Sequence, residues 1–470
     1  MRRFARVFGL IASVGCAAPA ASTPSSAPSP GASAPPASAG PVKSEAQANS
    51  SEAADKVVAD ALAVVSRVRG LPIRSVVPGK RLNREQLRAE MVRLMAEDTP
   101  PEALRGNAEL LFALDTVAWD FDFQATVTEL YAGELAGFYD PKKKSMVLAA
   151  DLPEAAERVA LYHELVHALQ DQSFQIADAV GWREEASDEL AAHHAVLEGD
   201  ATSAMMDVLA AVQGTEPIRM TPEMLQAESV LTEASPRLAL VPSVLKRSML
   251  APYLDGLGFV LALRDRGGFP EVDRALKERP SSTEQILHVD KFLAKEPVQA
   301  LPVITGPAEL GEITYRDVIG EQGLRIVFEE GMPTRAAVAA ASDWGADRLA
   351  VFSAGEQRAV RWHLVFDSES AARRATAALA RLALRPELGE EAAASSQALR
   401  PFAEAHAAEL AVQSGRLCQL RPQRGPFALV RRDRHVGVTL GPYRRTRTNV
   451  RAAGDCPQAL NWADQLARAR

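Results

Sequence analysis

This 470-residue sequence has few cysteines, a small net charge and few long hydrophobic runs. The 53 Lys and Arg residues nearly balance the 60 Asp and Glu residues, which leaves a formal net charge of -7. This balance argues against a chain-wide nucleic-acid footprint and against a strongly acidic surface. No internal repeat is visible, and the chain is too long for one ordinary core, so we predict more than one domain.

The apolar run at the N-terminus, residues 7–14, is too short to span a bilayer as a mature helix. It follows a basic start and precedes Gly15 and Cys16, an order typical of a bacterial export signal that ends in a lipobox. We therefore predict a signal peptide over residues 1–16, lipidation of Cys16, and export to the cell envelope. Ser13 replaces the usual aliphatic lipobox residue, so cleavage after Ala18 or Ala20 is the alternative.

Residues 17–51 are mostly Ala, Ser and Pro, and this composition predicts a flexible linker between the anchor and the folded part. Residues 52–300 have helical apolar spacing, apart from a predicted hairpin in "AGFYDPKKKSMVLAADL". Residues 301–470 mix strands with helices and predict a smaller α+β domain. In an exported protein, Cys418 and Cys456 are expected to form one disulfide.

The stretch "LYHELVHALQDQ" places His163 and His167 four residues apart, on one face of a predicted helix. Asp151 is the expected N-cap of this helix. Two imidazoles at this spacing can bind one zinc ion, and Glu164 lies close enough to accept a proton from a zinc-bound water. The motif arises by chance in roughly one such sequence in a hundred, so it needs support from its surroundings.

A third zinc ligand must come from elsewhere in the chain. Glu198 is the preferred residue, because a carboxylate in the apolar "AVLEGDAT" segment needs a partner. His194, one turn earlier, is the rival, while His193 is expected at the surface. Gly199 would allow two helices to approach closely.

The HExxH helix followed by a later glutamate resembles the gluzincin zinc metallopeptidases. A closer resemblance is to poorly characterised bacterial exported proteins that share several blocks. Those blocks are "AGFYDP", "HELVHALQDQ", "VLEGDAT", "STEQILH" and "DWGADR". The resemblance implies an α+β fold with a mainly helical zincin-like catalytic domain over residues 52–300.

The resemblance also implies that Zn²⁺ is held by three residues, His163, His167 and Glu198, with Glu164 as the base. Thermolysin-like enzymes have an acidic residue where this chain has Thr202, with Asp200 nearby instead. As oxyanion donors the sequence offers Tyr253 and His288, although packing and helix capping are alternative roles. Glu284 is a possible support for His288, and Gln170 and Asp171 either anchor a loop or end the helix in solvent.

These features together predict an exported, lipid-anchored zinc metallopeptidase with a peptide or protein substrate. The alternative is a non-catalytic envelope protein that uses the same scaffold for binding or for structural metal. The ten arginines in residues 416–451 suggest a surface for anionic polymers or lipids, but an exposed hairpin with solvated charges is the default interpretation.

Overall fold

Helices form most of the first 300 residues in the computed structural model, which describes residues 45–134, 136–176, 181–217, 221, 224, 241–385 and 408–469. The predicted helical character of this part is confirmed. These helices are α1 (Glu45–Arg69), α2 (Arg84–Asp98), α3 (Pro101–Ala113), α4 (Phe123–Glu134), α5 (Glu154–Phe174), α6 (Ser187–Gln213), α7 (Ser243–Gly267), α8 (Phe269–Glu278), α9 (Thr283–Leu287) and α10 (Val289–Ala294).

A three-stranded sheet interrupts this helical part. Its strands are β1 (Gly79–Leu82), β2 (Gly137–Asp140) and β3 (Ser145–Ala149), in the order β1-β3-β2. β2 and β3 pair antiparallel, which confirms the predicted hairpin, whereas β1 runs parallel to β3. β2 is therefore an edge strand, and its neighbour on the open side is α5.

The C-terminal part is the predicted mixture of strands and helices, so the fold is α+β. Its sheet has the order β4-β5-β6-β9-β8-β7, with β10 paired to β9, and every pair is antiparallel. The strands are β4 (Glu312–Asp317), β5 (Trp344–Ala354), β6 (Gln357–Phe366), β7 (Arg416–Arg421), β8 (Gly425–Arg432), β9 (His435–Arg445) and β10 (Val450–Ala452). The helices are α11 (Gly320–Glu329), α12 (Thr334–Ala341), α13 (Glu369–Leu384) and α14 (Cys456–Arg468).

Helix α3 packs into the core of this C-terminal sheet, although it precedes α5 and α6 in the chain. The Phe112 ring is fully buried and meets the Tyr443 ring edge-on, with ring centroids 5.1 Å apart. The same core contains Trp362 of β6 and Leu379 of α13. Burial of large apolar side chains is the main contribution to stability here, so the helical part and the sheet share one of their cores.

Two arginines of the basic C-terminal stretch hold the end of α3. Arg424 donates from Nε to the Phe112 carbonyl at 2.7 Å, and Arg421 donates to the Ala113 carbonyl at 2.9 Å. Both side chains are buried, and Arg424 also pairs with Asp115. The default interpretation of solvated charges is therefore wrong for these two residues, because the last carbonyls of a helix need donors from outside it.

The expected disulfide is present. Cys418 of β7 and Cys456, the first residue of α14, are bonded and lie 38 residues apart in the chain. The bond ties the last helix to the outer strand of the larger sheet. Closing a loop of this length limits the conformations of the unfolded chain, which favours the folded state.

Most of the N-terminal predictions concern residues that the structure does not describe. Residues 1–44, including the predicted signal peptide and Cys16, lie outside the described residues. Helix α1 begins at Glu45, which is inside the segment 17–51 predicted as linker. Across the described part of the chain, no helix has both the length and the apolar character needed to cross a membrane.

The first turn of α6 and Glu185, just before it, are held by residues from three later segments. The Asp188 carboxylate accepts hydrogen bonds from the backbone N–H of Thr283, at 3.1 Å, and from its hydroxyl. The Ser187 hydroxyl donates to Asp317 of β4 at 2.6 Å, and Glu185 forms an ion pair with Arg348 of β5. Thr283 and Arg348 belong to the "STEQILH" and "DWGADR" blocks, so both blocks contribute to fixing the helix that carries Glu198.

Replacing Asp188 by Asn should make stability less dependent on pH. Burial raises the pKa of Asp188 from 3.8 to about 7. Its neutral form therefore stabilises the fold fully below pH 4, and this contribution is lost as the pH rises through 7. Asn keeps an oxygen acceptor for Thr283 but cannot ionise. The variant should gain roughly 1–4 kcal/mol over the native chain between pH 4 and 8.

Urea unfolding at pH 5 and pH 8 measures this gain. Asp290→Asn is the matched control, because the Asp290 side chain is 86% exposed. An equal stability difference between native and Asp188→Asn protein at both pH values would contradict the raised pKa of Asp188.

Candidate metal centre

The motif helix α5 begins later than predicted. Its first residue is Glu154 and its N-cap is Pro153, so the predicted N-cap at Asp151 is wrong. The Asp151 carboxylate instead accepts from Arg84 Nε at 2.8 Å. From Ala160 to Asp171 every residue is buried.

Three side chains converge between α5 and α6. His163 Nε2 lies 3.0 Å from Glu198 Oε2, and His167 Nε2 lies 3.3 Å from Glu198 Oε1. The ligand atoms of these three residues all lie within 4.8 Å of one another. In a tetrahedral zinc site with bonds of about 2.0–2.1 Å, neighbouring ligand atoms are about 3.3 Å apart. The spacing and the donor types both fit zinc.

The polar atoms of the cluster also fit a metal. His167 Nε2 and His194 Nε2 are buried and have no hydrogen-bond partner within the part of the chain that the structure describes. An orphaned polar atom in a buried site costs free energy, and a cation beside Glu198 would give His167 Nε2 a partner. His163, His167 and Glu198 are therefore the residues that would hold the ion.

The electrostatics favour positive charge between these residues. Burial alone would raise the pKa of Glu198, but the charge of His167 and the hydrogen bond with His163 hold that pKa well below its ordinary value. Burial alone would likewise lower the pKa of His167, yet the Glu198 carboxylate raises it to about 9. The Glu198 carboxylate thus stays ionised and attracts positive charge. A proton on His167 or a divalent metal ion can supply that charge.

Glu164 is fixed by the edge strand β2. Its Oε2 accepts a hydrogen bond from the backbone N–H of Tyr139 at 2.9 Å, and the side chain is almost fully buried. Burial raises the pKa of the Glu164 carboxyl, although both histidines oppose this effect. The Tyr139 hydroxyl donates to Asp171 at 2.9 Å, so Asp171 anchors this strand and is not a solvated helix end. The "AGFYDP" block thus positions the predicted base.

The two neighbouring histidines on α6 behave differently from each other. His194 Nε2 lies 3.2 Å from Glu198 Oε1, so the rival ligand contacts the preferred one. Among the described residues, His194 is not part of the three-residue group. His193 was expected at the surface, which is wrong, because only 6% of it is exposed. Nearly every residue of α6 from Leu190 to Met205 is buried, which leaves no solvent face there.

The two predicted oxyanion donors lie in different surroundings. Tyr253 of α7 is buried, and its ring centroid is 6.0 Å from that of His163. His288 Nε2 bonds to both carboxylate oxygens of Glu321 on α11, at 2.8 and 3.1 Å. Glu284, the suggested support for His288, instead accepts from Lys291 at 2.6 Å. The structure brings Tyr253 next to the cluster and pairs His288 with the C-terminal part.

Glycines allow α6 and α7 to cross closely, as predicted for Gly199. A Cβ atom on Gly199 would lie 2.1 Å from the Gly256 carbonyl oxygen. A Cβ atom on Gly256 would lie 1.9 Å from the Ala195 carbonyl oxygen. No side chain fits at such distances. The crossing brings α7, with Tyr253, against the helix that carries Glu198.

A buried polar chain behind His167 was not predicted. The Gln170 side chain bonds to His167 Nδ1 at 2.8 Å and donates to Asp200 at 2.8 Å. Arg69 of α1 donates from Nε to the same Asp200 at 2.6 Å. Gln170 is fully buried, so the solvated helix end suggested for it is wrong. The signals available were its position three residues after His167 and the acid two residues after Glu198.

A second cluster of three carboxylates pairs with a lysine of the same chain. Carboxylates from Glu284, Glu296 and Asp367 lie close enough to hold an ion. Lys291 Nζ donates to all three, at 2.6, 2.7 and 2.7 Å. This ammonium already supplies the charge that the carboxylates attract, so the group serves to join α9, α10 and the end of β6.

Comparison with known proteins bears on the C-terminal part alone. Residues 309–451 match the family described as "Domain of unknown function (DUF8575)". The chain has no match among curated proteins and none among solved structures. The matched segment runs from just before β4 into β10, whereas His163, His167 and Glu198 precede it. The gluzincin resemblance therefore stays a prediction.

Proposed function

We propose that this chain is a zinc-dependent peptide hydrolase of the bacterial cell envelope. The observation that carries the proposal is the buried group His163, His167 and Glu198, whose ligand atoms lie within 4.8 Å of one another. A fourth residue, Glu164, lies on the same helix as the histidines but does not belong to the ligand group. A purely structural metal site needs no such carboxylate, and the gluzincin resemblance gives it a use.

The proposed chemistry assigns a proton to Glu164. A zinc ion held by the three ligands would lower the pKa of a bound water towards about 7 and polarise the substrate carbonyl. Glu164 takes the proton released as the water oxygen bonds to the carbonyl carbon, and delivers it to the amine nitrogen when the C–N bond breaks. The Tyr139 N–H holds Glu164 Oε2, which orients the carboxylate for this transfer.

Tyr253 is the better supported of the two oxyanion donors. Its ring lies beside that of His163, so its hydroxyl is within the same buried region as the ligands. The pairing of His288 with Glu321 favours a structural role, in which the histidine joins α10 to α11. Tyr253 is accordingly proposed to stabilise negative charge on the carbonyl oxygen during attack.

The proposal extends to location and partners. Lipidation of Cys16 and the Ala/Ser/Pro-rich segment 17–51 would hold the hydrolase near a membrane surface, with peptides or proteins as substrates. Nucleic acid is not a proposed partner, since the formal net charge is -7.

Zinc content and peptide hydrolysis test the proposal together. The full native chain should contain about one zinc per chain, and His163→Ala should contain almost none, because two remaining ligands bind zinc far more weakly than three. The native chain should also cleave members of a broad peptide library. Absence of zinc in the native chain would contradict the metal centre. Zinc without any cleavage would favour the non-catalytic binding protein.

A further inference from the structure

The orientation of the Gln170 amide is fixed by the two groups that accept from it. Gln170 Nε2 donates to the Leu197 carbonyl at 3.1 Å and to Asp200 Oδ2 at 2.8 Å. A backbone carbonyl oxygen can only accept, so the NH₂ group must face the Leu197 carbonyl. Asp200 Oδ1 also accepts from Arg69 Nε at 2.6 Å, and neither side chain is exposed to solvent. The Gln170 carbonyl oxygen therefore faces His167.

This orientation determines which nitrogen of His167 carries the proton. Gln170 Oε1 lies 2.8 Å from His167 Nδ1 and is an acceptor only, so Nδ1 must carry hydrogen. In the neutral ring Nε2 then has the lone pair, and Nε2 is the atom 3.3 Å from Glu198. We infer that Gln170 is a positioning residue that sets the tautomer and ring orientation of His167 for metal binding. The inference rests on the proposed metal centre.

An amide suits this position better than a carboxylate would. The group that accepts from the other ring nitrogen of a metal-binding histidine is often a carboxylate, which holds the ring in the same way. Here the neighbouring acceptor, Asp200, is itself a carboxylate 2.8 Å away. Two adjacent buried carboxylates repel each other, whereas the amide donates to one partner and accepts from the other. The chain thus connects Arg69 of α1 to the metal centre through three hydrogen bonds.

Zinc affinity in three variants tests the inference. Gln170→Met removes the acceptor, and competition with a chromophoric chelator should give about 10–100-fold weaker zinc binding. Gln285→Met is the matched control, since Gln285 is also a buried glutamine, with side-chain bonds to Ser281 and Glu296. Its zinc affinity should equal that of the native chain. Gln170→Glu restores the acceptor and should bind zinc more tightly than Gln170→Met, although its melting temperature should fall.

A measurement on the native chain avoids any folding defect of the variants. In protein labelled with ¹⁵N-histidine and loaded with zinc, His167 should give the signals of a ring protonated at Nδ1. A His167 signal from a ring protonated at Nε2 would overturn the inference, as would equal zinc affinity in the native chain and Gln170→Met. If the native chain binds no zinc, the metal centre and the positioning role both fail. Native zinc binding with an unaffected Gln170→Met rejects the positioning role alone.

Discussion

Glu164→Gln is expected to slow peptide hydrolysis by about 10²–10⁴-fold without removing zinc. The amide has the shape of the carboxylate but cannot accept the proton of the attacking water. The single amide oxygen can still accept from the Tyr139 N–H, so the local packing should persist. Glu164 is not in the ligand group, and the zinc content should therefore match that of the native chain.

The experiment compares kcat/KM on one cleaved peptide with zinc content measured on the same preparations. Glu157→Gln is the matched control, because Glu157 lies two turns earlier on α5 and pairs with Arg81 at the surface. It should retain native activity. Full activity in Glu164→Gln with zinc present would mean that another group acts as base, and loss of zinc would mean that Glu164 supports the metal.

Arg69→Met should lower the free energy of unfolding by about 3–5 kcal/mol. The Arg69 side chain is fully buried, and it pairs with Asp200 and Asp273 at 2.6 Å each. Its guanidinium also stacks over the Phe269 ring, with its carbon 4.3 Å from the centroid. Methionine fills a similar volume but leaves Asp200 buried without a positive partner. An uncompensated buried charge costs far more than a lost surface pair.

Chemical denaturation of the zinc-free chain measures this loss separately from metal binding. Arg266→Met is the control, because the Arg266–Asp290 pair is exposed and should contribute less than about 1 kcal/mol. Adding Asp200→Asn to Arg69→Met removes the unpaired charge and should recover part of the stability. If Arg69→Met were no less stable than Arg266→Met, the buried pair would not be important to the fold.

Local patterns in the sequence were sufficient for the elements that hold the site. Apolar spacing predicted that residues 52–300 are mainly helical, and turn residues predicted the β2–β3 hairpin. The four-residue spacing of His163 and His167 placed both rings on one side of α5, since helix geometry alone decides that relation. Such features depend on neighbours within a few residues.

Such local patterns do not predict contacts between segments that are distant in the chain. The N-cap of α5 was mispredicted because Asp151 has a partner, Arg84, from 67 residues earlier. The burial of His193 and the pairing of His288 with Glu321 also depend on which helices pack together. Likewise, no local signal indicates that Arg424 binds the end of α3, 312 residues away in the chain.

The sequence by itself therefore determined the helix that carries the HELVH motif and the donor types that zinc prefers. Tertiary structure decided that Glu198 joins the two histidines, that β2 holds Glu164, and that Gln170 connects His167 to a buried ion pair with Arg69. The physical reason is the sequence separation over which each effect acts. Helix periodicity acts over four residues, whereas Arg69 and Asp200 are 131 residues apart and meet only when α1, α5 and α6 pack.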